Sequence, residues 1–142
     1  MAADHRYSVS VAGVIVDEEG RALIIQRRDN GHWEPPGGVL EHGETIEDGL
    51  RREVFEETGI KVTPGPVTGI YQNMERHIVA LVFRCAAEDR APVKNSEVAE
   101  FLWASPQQVT SLMDEAYAVR VLDAAATSMP PQVRSHDGVR LT

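Results

Sequence analysis

Cysteine is nearly absent from this sequence, since Cys85 is the only one among 142 residues, and a lone cysteine cannot form an internal disulfide. Cys85 stands in an apolar, strand-like segment, where we expect a buried thiol. No apolar run approaches the ~18 residues that a membrane-spanning helix needs, and the first six residues lack the apolar stretch of a secretory signal. These absences predict a cytoplasmic protein that has no membrane partner.

Positive charge is also scarce. The chain has 14 Lys and Arg residues against 22 Asp and Glu, a net charge of −8, and only Lys61 and Lys94 are lysines. A protein that binds a nucleic-acid polymer usually has a basic stripe, and this sequence has none. If such an acidic protein acts on an anionic small molecule, a divalent cation is the usual way to offset the repulsion.

The length and composition predict one globular domain. A chain of 142 residues with 42% hydrophobic and 25% charged residues is typical of a single soluble domain. We expect the domain to span 1–142, with a compact core over about 7–126. After Met129-Pro-Pro the sequence becomes polar, which predicts a mobile tail over about 127–142.

The apolar pattern predicts strands mixed with two main helices, an α/β (α+β) sandwich. Two strands, 7–16 and 22–27, flank a turn at 17–20 and are expected to pair as a hairpin. Further strands are predicted near 67–72, 77–86 and 101–104, and helices over 45–58 and 115–126. In the second helix Val119, Leu122 and Ala126 share the expected buried face. The histidines have no metal-ligand spacing and are expected at the surface: His5, His32, His42 and His136.

The first helix carries three carboxylates on one face. Glu53, Glu56 and Glu57 have the spacing i, i+3 and i+4, which places them within about a 100° arc. Glu56 and Glu57 lie near the C-terminal end of the helix, where its dipole disfavours anions. Gathered oxygen ligands of this kind suit Mg²⁺ or Mn²⁺. A solvated helix face is the alternative, and the physics of the helix alone leaves both interpretations open.

The residues around this helix resemble a known motif. Counted along the chain, Gly38-x5-Glu44-x7-Arg52-Glu53-Val54-x-Glu56-Glu57-x-Gly59-Ile60 matches the Nudix box of the Nudix hydrolases, including its MutT-like members, at every fixed position. The resemblance implies a Nudix-type α/β/α sandwich with a central mixed β-sheet and two main helices. It also implies hydrolysis of a phosphoanhydride bond in a nucleoside diphosphate derivative.

The resemblance assigns roles to the residues of the motif. It implies that Mg²⁺, or else Mn²⁺, is held by Glu53, Glu56 and Glu57 and by a backbone carbonyl of Gly37 or Gly38. It implies structural roles for Gly38, Glu44, Arg52 and Gly59.

A further acid from a later loop often completes such a site, as a metal ligand or as the base. Glu97 is our candidate because it lies six residues before Trp103, and Glu100 is its competitor. The catalytic residues implied by the resemblance are therefore Glu53, Glu56 and Glu97.

Three residues outside the motif are candidates for contact with the substrate. Arg27 ends the second strand before the Gly-rich loop, where a basic residue could contact phosphate; a surface cation paired with Asp29 or Glu34 is the alternative. Tyr71 and His77 flank a turn, where they could contact substrate or simply pack at strand ends.

The function predicted from the sequence is a metal-dependent (d)NTP pyrophosphatase acting on a small nucleotide, as a monomer or a homodimer. An ADP-ribose or nucleotide-sugar pyrophosphatase is one alternative. A non-catalytic nucleotide-binding sensor on the same fold is the other.

Overall fold

The computed structural model describes residues 6–126 and 130–142. His5, which was expected at the surface, and 127–129, the first residues of the predicted tail, lie outside the described residues. Within the described part of the chain, no helix is long and apolar enough to cross a membrane.

Among the described residues, eight strands form two sheets, and three helices pack against them. The strands are β1 (Ser8–Ile15), β2 (Ala22–Arg27), β3 (Trp33–Glu34), β4 (Gly37–Val39), β5 (Val62–Asn73), β6 (Ile78–Ala87), β7 (Val98–Ala104) and β8 (Gln132–His136). The helices are α1 (Ile46–Thr58), α2 (Pro106–Leu112) and α3 (Glu115–Ala125). The larger sheet has the order β4-β1-β6-β5-β8 and the smaller sheet the order β3-β2-β7. Because β1 runs parallel to β6 while β5 runs antiparallel to it, the larger sheet is mixed, as predicted.

The predicted hairpin of the first two strands is wrong. β1 and β2 belong to different sheets and are joined only by a single bridge between Val16 and Ala22. Consecutive residues on each strand are buried, including Val14 and Ile15 on β1 and Leu23 and Ile24 on β2. Strands that are apolar on both faces need cover on both faces, which two separate sheets provide and an isolated hairpin does not.

Helices cover the strands from two sides and create two apolar cores. Leu50 and Val54 of α1 pack with β1 and β2 in one core, which also contains Cys85. Val121 of α3 packs in the other core with Tyr71 of β5. Cys85 is a free, buried thiol, as expected, and burial raises its pKa to about 12.

Local signals determine both ends of α1. Thr45 accepts a hydrogen bond at Oγ1 from the Asp48 N–H (3.1 Å), so it caps the helix. Gly59 ends it with φ 73°, a left-handed conformation that favours glycine. These ends set the bounds of α1, and the burial of Leu50 and Val54 sets which face its carboxylates share.

The predicted polar tail is wrong, because its residues complete the larger sheet. β8 pairs in parallel with β5, and His136, which was expected at the surface, is fully buried. Arg134 donates from Nε and Nη2 to the two carboxylate oxygens of Asp123, both at 2.8 Å. Asp123 lies on α3, a different element from Arg134. Because polar groups can find hydrogen-bond partners on other elements, a polar stretch can be buried without showing an apolar pattern in the sequence.

The buried face of α3 also differs from the prediction. Val119 and Leu122 are half-buried and pack against the core, as predicted, but Ala126 is exposed. The positions that face the core are Ala116, Ala118, Arg120, Val121 and Ala124. Alanines let the helix approach the sheet closely, and the same face carries an arginine into the interior.

Candidate active site

The three carboxylates of α1 share one face but differ in their exposure. Glu57 is buried, with 7% of its surface exposed. The side chain of Glu53 is 14% exposed and that of Glu56 is 56% exposed. The acidic face therefore runs from the edge of the core out to solvent, and it is not a uniformly solvated surface.

Glu57 joins the end of α1 to β4. Its Oε1 accepts a 2.6 Å hydrogen bond from the Gly37 N–H. Burial raises the pKa of Glu57 to about 8 despite this hydrogen bond, with Glu34 and Glu53 adding to the increase. Burial also raises the pKa of Glu53. Two carboxylates thus occupy surroundings that disfavour their charge, as expected for groups kept for a function.

Two consecutive glycines allow β4 to lie directly against these acids. A Cβ at Gly38 would overlap the carboxylate of Glu53, and a Cβ at Gly37 would overlap the backbone oxygen of Val11. No residue with a side chain fits either position without displacing its neighbours. The peptide groups of β4 therefore lie beside the acidic face of α1.

Arg52 ties the acidic face to the preceding loop. Its Nε and Nη2 donate to the two carboxylate oxygens of Glu44 at 2.9 and 2.6 Å, and its Nη1 donates to Glu53 at 2.8 Å and to Glu56 at 3.3 Å. A further bond from Nη2 reaches the Val39 carbonyl at 3.2 Å. Hydrogen bonds from Arg52 and from the Glu41 N–H lower the pKa of Glu44 to about 2. A planar guanidinium can serve this many acceptors at once, which an ammonium cannot.

The structure brings Glu97 to the acidic face but does not bring Glu100. A cleft of about 470 Å³ is lined by both Glu57 and Glu97, together with Arg27, Arg28, Asp29 and Ser96. Glu100 lies on β7 opposite Gln26 of β2 and does not line this cleft. The two candidates are therefore separated by position, because the loop that precedes β7 turns Glu97 toward α1.

The hydrogen bonds that hold this loop were missed by the sequence reasoning. Asn95 donates from Nδ2 to the Glu57 carbonyl (2.7 Å) and accepts at Oδ1 from the Glu97 N–H (2.9 Å). Arg28 donates to the carbonyls of Ser96 (3.1 Å) and Val98 (3.2 Å). An asparagine before a strand is a turn signal, but the signal does not say which carbonyl its amide will reach.

Arg27 is paired with Asp29 and Glu34, as the alternative interpretation expected, and it also lines a cleft. It donates to the two carboxylate oxygens of Asp29 at 2.9 and 2.8 Å, and to Glu34 at 3.2 Å. The hydrogen bonds to Asp29 raise its pKa above the ordinary range. Arg27 also lines the cleft that contains Glu57 and Glu97, so this paired cation lies where a substrate could reach it.

Tyr71 and His77 are not brought to this cleft. Tyr71 is fully buried in the core, and its hydroxyl donates to Asp123 at 2.7 Å. The prediction that Tyr71 contacts substrate is therefore wrong, and the packing interpretation is correct. His77 lies exposed at the turn between β5 and β6 with φ 55°. It lines a different cleft, together with Glu41 and His42.

A second cleft, of about 310 Å³, shares Arg27 with the first cleft. Its lining includes residues of β1, β4 and β6, and α3 contributes Tyr117 and Arg120. Gly37 and Gly38 lie in its wall. The cleft therefore extends from the glycine strand beside the carboxylates toward α3.

The oxygen atoms at the acidic face suit a hard divalent cation. Carboxylates and backbone carbonyls are the ligands that Mg²⁺ prefers. Across residues 6–126 and 130–142, however, no three His, Cys, Asp or Glu side chains already stand together as a metal-binding group. The residues therefore suit a divalent cation by the chemistry of their oxygen atoms and by the close approach of β4, although their side chains are not already arranged around a metal position.

Comparisons with known proteins agree with this geometry. Residues 6–124 match the NUDIX domain family. A MutT-like protein of Streptomyces ambofaciens is 53% identical over 135 residues, which cover 95% of this chain and 87% of the relative. The nucleoside triphosphatase NudI of Escherichia fergusonii is 30% identical over 67% of this chain and 80% of its own length. The crystal structure of a MutT protein from Methanosarcina mazei Go1 superposes with a TM-score of 0.73 at 29% identity, covering 87% of this chain and 96% of that one.

Proposed function

The chain belongs to the NUDIX domain family and is a Nudix-type pyrophosphohydrolase, and from this premise we propose that it hydrolyses (d)NTPs to a nucleoside monophosphate and pyrophosphate. In this reaction the oxygen of a water molecule forms a bond to the α-phosphorus. The bond from that phosphorus to the α–β bridging oxygen breaks, and pyrophosphate leaves. The similarity to a nucleoside triphosphatase supports this substrate class.

Nudix hydrolases generally use divalent metal ions, and we propose Mg²⁺ here, with Mn²⁺ as a substitute. Glu53, Glu56 and Glu57 would hold it, together with a carbonyl of Gly37 or Gly38. When bound, such an ion neutralises phosphate oxygens and lowers the pKa of water.

The chain's own residues supply position and a proton acceptor. The Glu97 carboxylate, which shares its cleft with Glu57, accepts the proton of the attacking water. Arg27 lies in the same cleft and offers a guanidinium to the phosphate oxygens. Arg52 holds Glu53 and Glu56 in place relative to the loop that carries Glu44.

The observation that carries the proposal is the contact of the acidic face of α1 with the glycine strand β4, at the wall of a cleft that Glu97 also lines. In-line displacement at phosphorus needs cationic stabilisation, a positioned water and a base at one place. These residues offer the ligands and the base together.

A hydrolysis screen with Mg²⁺ tests the proposal. We expect turnover of (d)NTPs in preference to ADP-ribose, nucleotide sugars and dinucleoside polyphosphates, with pyrophosphate as a product and with Glu56→Gln as the inactive blank. Turnover of ADP-ribose or a nucleotide sugar alone would replace the proposed substrate class. Metal-dependent nucleotide binding without turnover of any compound would indicate a sensor.

Replacing Glu97 with Gln is expected to lower kcat about 10²-fold, because general-base catalysis contributes that much, while binding of Mn²⁺ changes little. Steady-state kinetics and a Mn²⁺ titration measure the two effects. Glu100→Gln is the matched control and should retain the wild-type kcat. If Glu100→Gln slowed the reaction and Glu97→Gln did not, the roles of the two acids would be reversed.

A further inference from the structure

Arg120 is a buried cation that the proposed chemistry does not use. It lies on α3 with only 8% of its surface exposed, and burial lowers its pKa. Among the described residues no carboxylate lies within ion-pair distance of it. A buried charge that lacks an ionic partner destabilises a fold, so a functional reason for keeping it is worth seeking.

The hydrogen bonds of Arg120 are also incomplete. Its Nε has no partner within the described part of the chain, and its Nη2 lies 3.1 Å from Nε2 of His136. The other ring nitrogen of His136 already faces a donor, the Gly138 N–H at 3.0 Å. A neutral imidazole has one acceptor nitrogen, so it cannot accept from both the amide and the guanidinium. Arg120 therefore retains at least one donor that no group in the described part of the chain satisfies.

Aromatic rings hold the guanidinium in place. Its Cζ lies 4.6 Å from the ring centroid of Tyr117 and 5.4 Å from that of Tyr71. Such contacts position a planar cation without occupying the N–H groups at its edge.

Arg120 lines the second cleft, the one that extends from Gly37 and Gly38 toward α3. Arg27 and Arg76 line it as well, and Glu34 is the only carboxylate among its described lining residues. Because Arg27 is already paired with Asp29 and Glu34, Arg76 and Arg120 give the described lining its excess of positive charge, which suits a nucleotide and its electron-rich acceptors. A nucleotide whose phosphates lie at the acidic face would extend its other end, the base, toward Arg120.

We propose that Arg120 recognises the O6/N7 edge of a guanine-type base in this cleft, an inference that rests on the proposed function. The two acceptors of that edge match the paired donors of a guanidinium, whereas adenine presents a donor in place of O6. The unsatisfied donor of Arg120, the aromatic rings that position its guanidinium, and its place in the α3 wall of the cleft support a base over a phosphate.

Binding of the monophosphate products tests this proposal without requiring turnover. We expect wild-type protein to bind dGMP and dIMP at least ~10-fold more tightly than dAMP in titration calorimetry, since hypoxanthine shares O6 and N7 with guanine. Arg120→Met should bind all three about equally, at the level of dAMP. Arg90→Met, at an exposed arginine outside the cleft, should keep the wild-type ratio.

The stability of the variant adds a second readout. Because Arg120→Met removes a buried charge that has no ionic partner, its unfolding midpoint should equal or exceed that of the wild type. If Arg120→Met does not fold, Arg120→Lys keeps the charge, loses the paired donors and should also lose the preference for guanine.

The remaining outcomes would overturn the proposal. An equal loss for all three nucleotides would identify a phosphate contact, and an unchanged guanine-to-adenine ratio would identify a structural role. No preference, or no binding of dGMP, in the wild type would also contradict it. The wild-type triphosphate screen is separate: if no (d)NTP is hydrolysed, the proposed function fails, while the binding ratio still decides the role of Arg120.

Discussion

Glu57→Gln is expected to lower the rate of nucleotide hydrolysis by at least ~10²-fold, as the loss of a metal ligand should. The amide oxygen of Gln can still accept the hydrogen bond from the Gly37 N–H, so the link between α1 and β4 is retained. Glu56→Gln should have an effect of similar size, although its side chain is far more exposed. Initial rates in Mg²⁺ measure the loss, and a Mn²⁺ titration should show weaker binding in both variants.

The fold should survive both substitutions. Glu57→Gln removes a group whose charge is disfavoured by burial, and Glu56→Gln exchanges like-charge repulsion on the helix face for a weaker contact with Arg52. The unfolding midpoint of the metal-free protein should therefore not fall in either variant. Glu47→Gln, an exposed first-turn acid of the same helix, is the control and should keep full activity. Wild-type rates in both Glu56→Gln and Glu57→Gln would show that the metal site has been misplaced.

Asp123→Ala should produce the largest loss of stability. The carboxylate accepts hydrogen bonds from the Tyr71 hydroxyl at 2.7 Å and from Arg134 at 2.8 Å, and its side chain is 11% exposed. Without it, a buried hydroxyl and a partly buried guanidinium lose their acceptor. We expect the free energy of unfolding to fall by about 3 kcal/mol, which lowers the midpoint by about 6–12 °C for a chain of this size.

This prediction also tests whether β8 belongs to the folded core. Amide hydrogens of 132–136 should exchange faster in Asp123→Ala, because Arg134 no longer ties the strand to α3. Tyr71→Phe removes only the hydroxyl and should cost about 1 kcal/mol. Asp114→Ala is the control, since the Asp114 side chain makes no capping hydrogen bond. Equal midpoints for Asp123→Ala and Asp114→Ala would contradict the proposed role of Asp123.

The elements predicted best are those specified by neighbouring residues. The bounds of α1 follow from Thr45 and Gly59, and the i, i+3, i+4 spacing places three carboxylates on one face whatever the helix packs against. The pairing of strands was predicted less well, because β1 is adjacent to β2 along the chain but lies between β4 and β6 in the sheet. Strand neighbours depend on which apolar faces must be covered, and that is a property of the whole fold.

The candidate site also has some features that were predicted from the sequence and others that only the fold revealed. The spacing along the helix indicated the acidic face, and the resemblance implied the nearby glycines and structural roles for Arg52 and Glu44. The choice between Glu97 and Glu100 depended on Asn95, whose amide reaches the end of α1 from a separate loop. Arg120 appeared in a helix as an ordinary charged residue, and nothing in its neighbourhood along the chain indicated its burial.

By itself, the sequence determined the class of reaction, the helix that carries the candidate ligands and the residue types around it, because these depend on side-chain chemistry and on a helical period of a few residues. Only the tertiary structure decided that the polar C-terminal segment is a strand, that Tyr71 is a core residue and that Arg120 has no carboxylate partner among the described residues. The physical reason is that the burial of a polar group is set by partners on other elements of the fold. Asp123 for Arg134, and His136 for Arg120, are brought close only when the sheet and α3 have packed together.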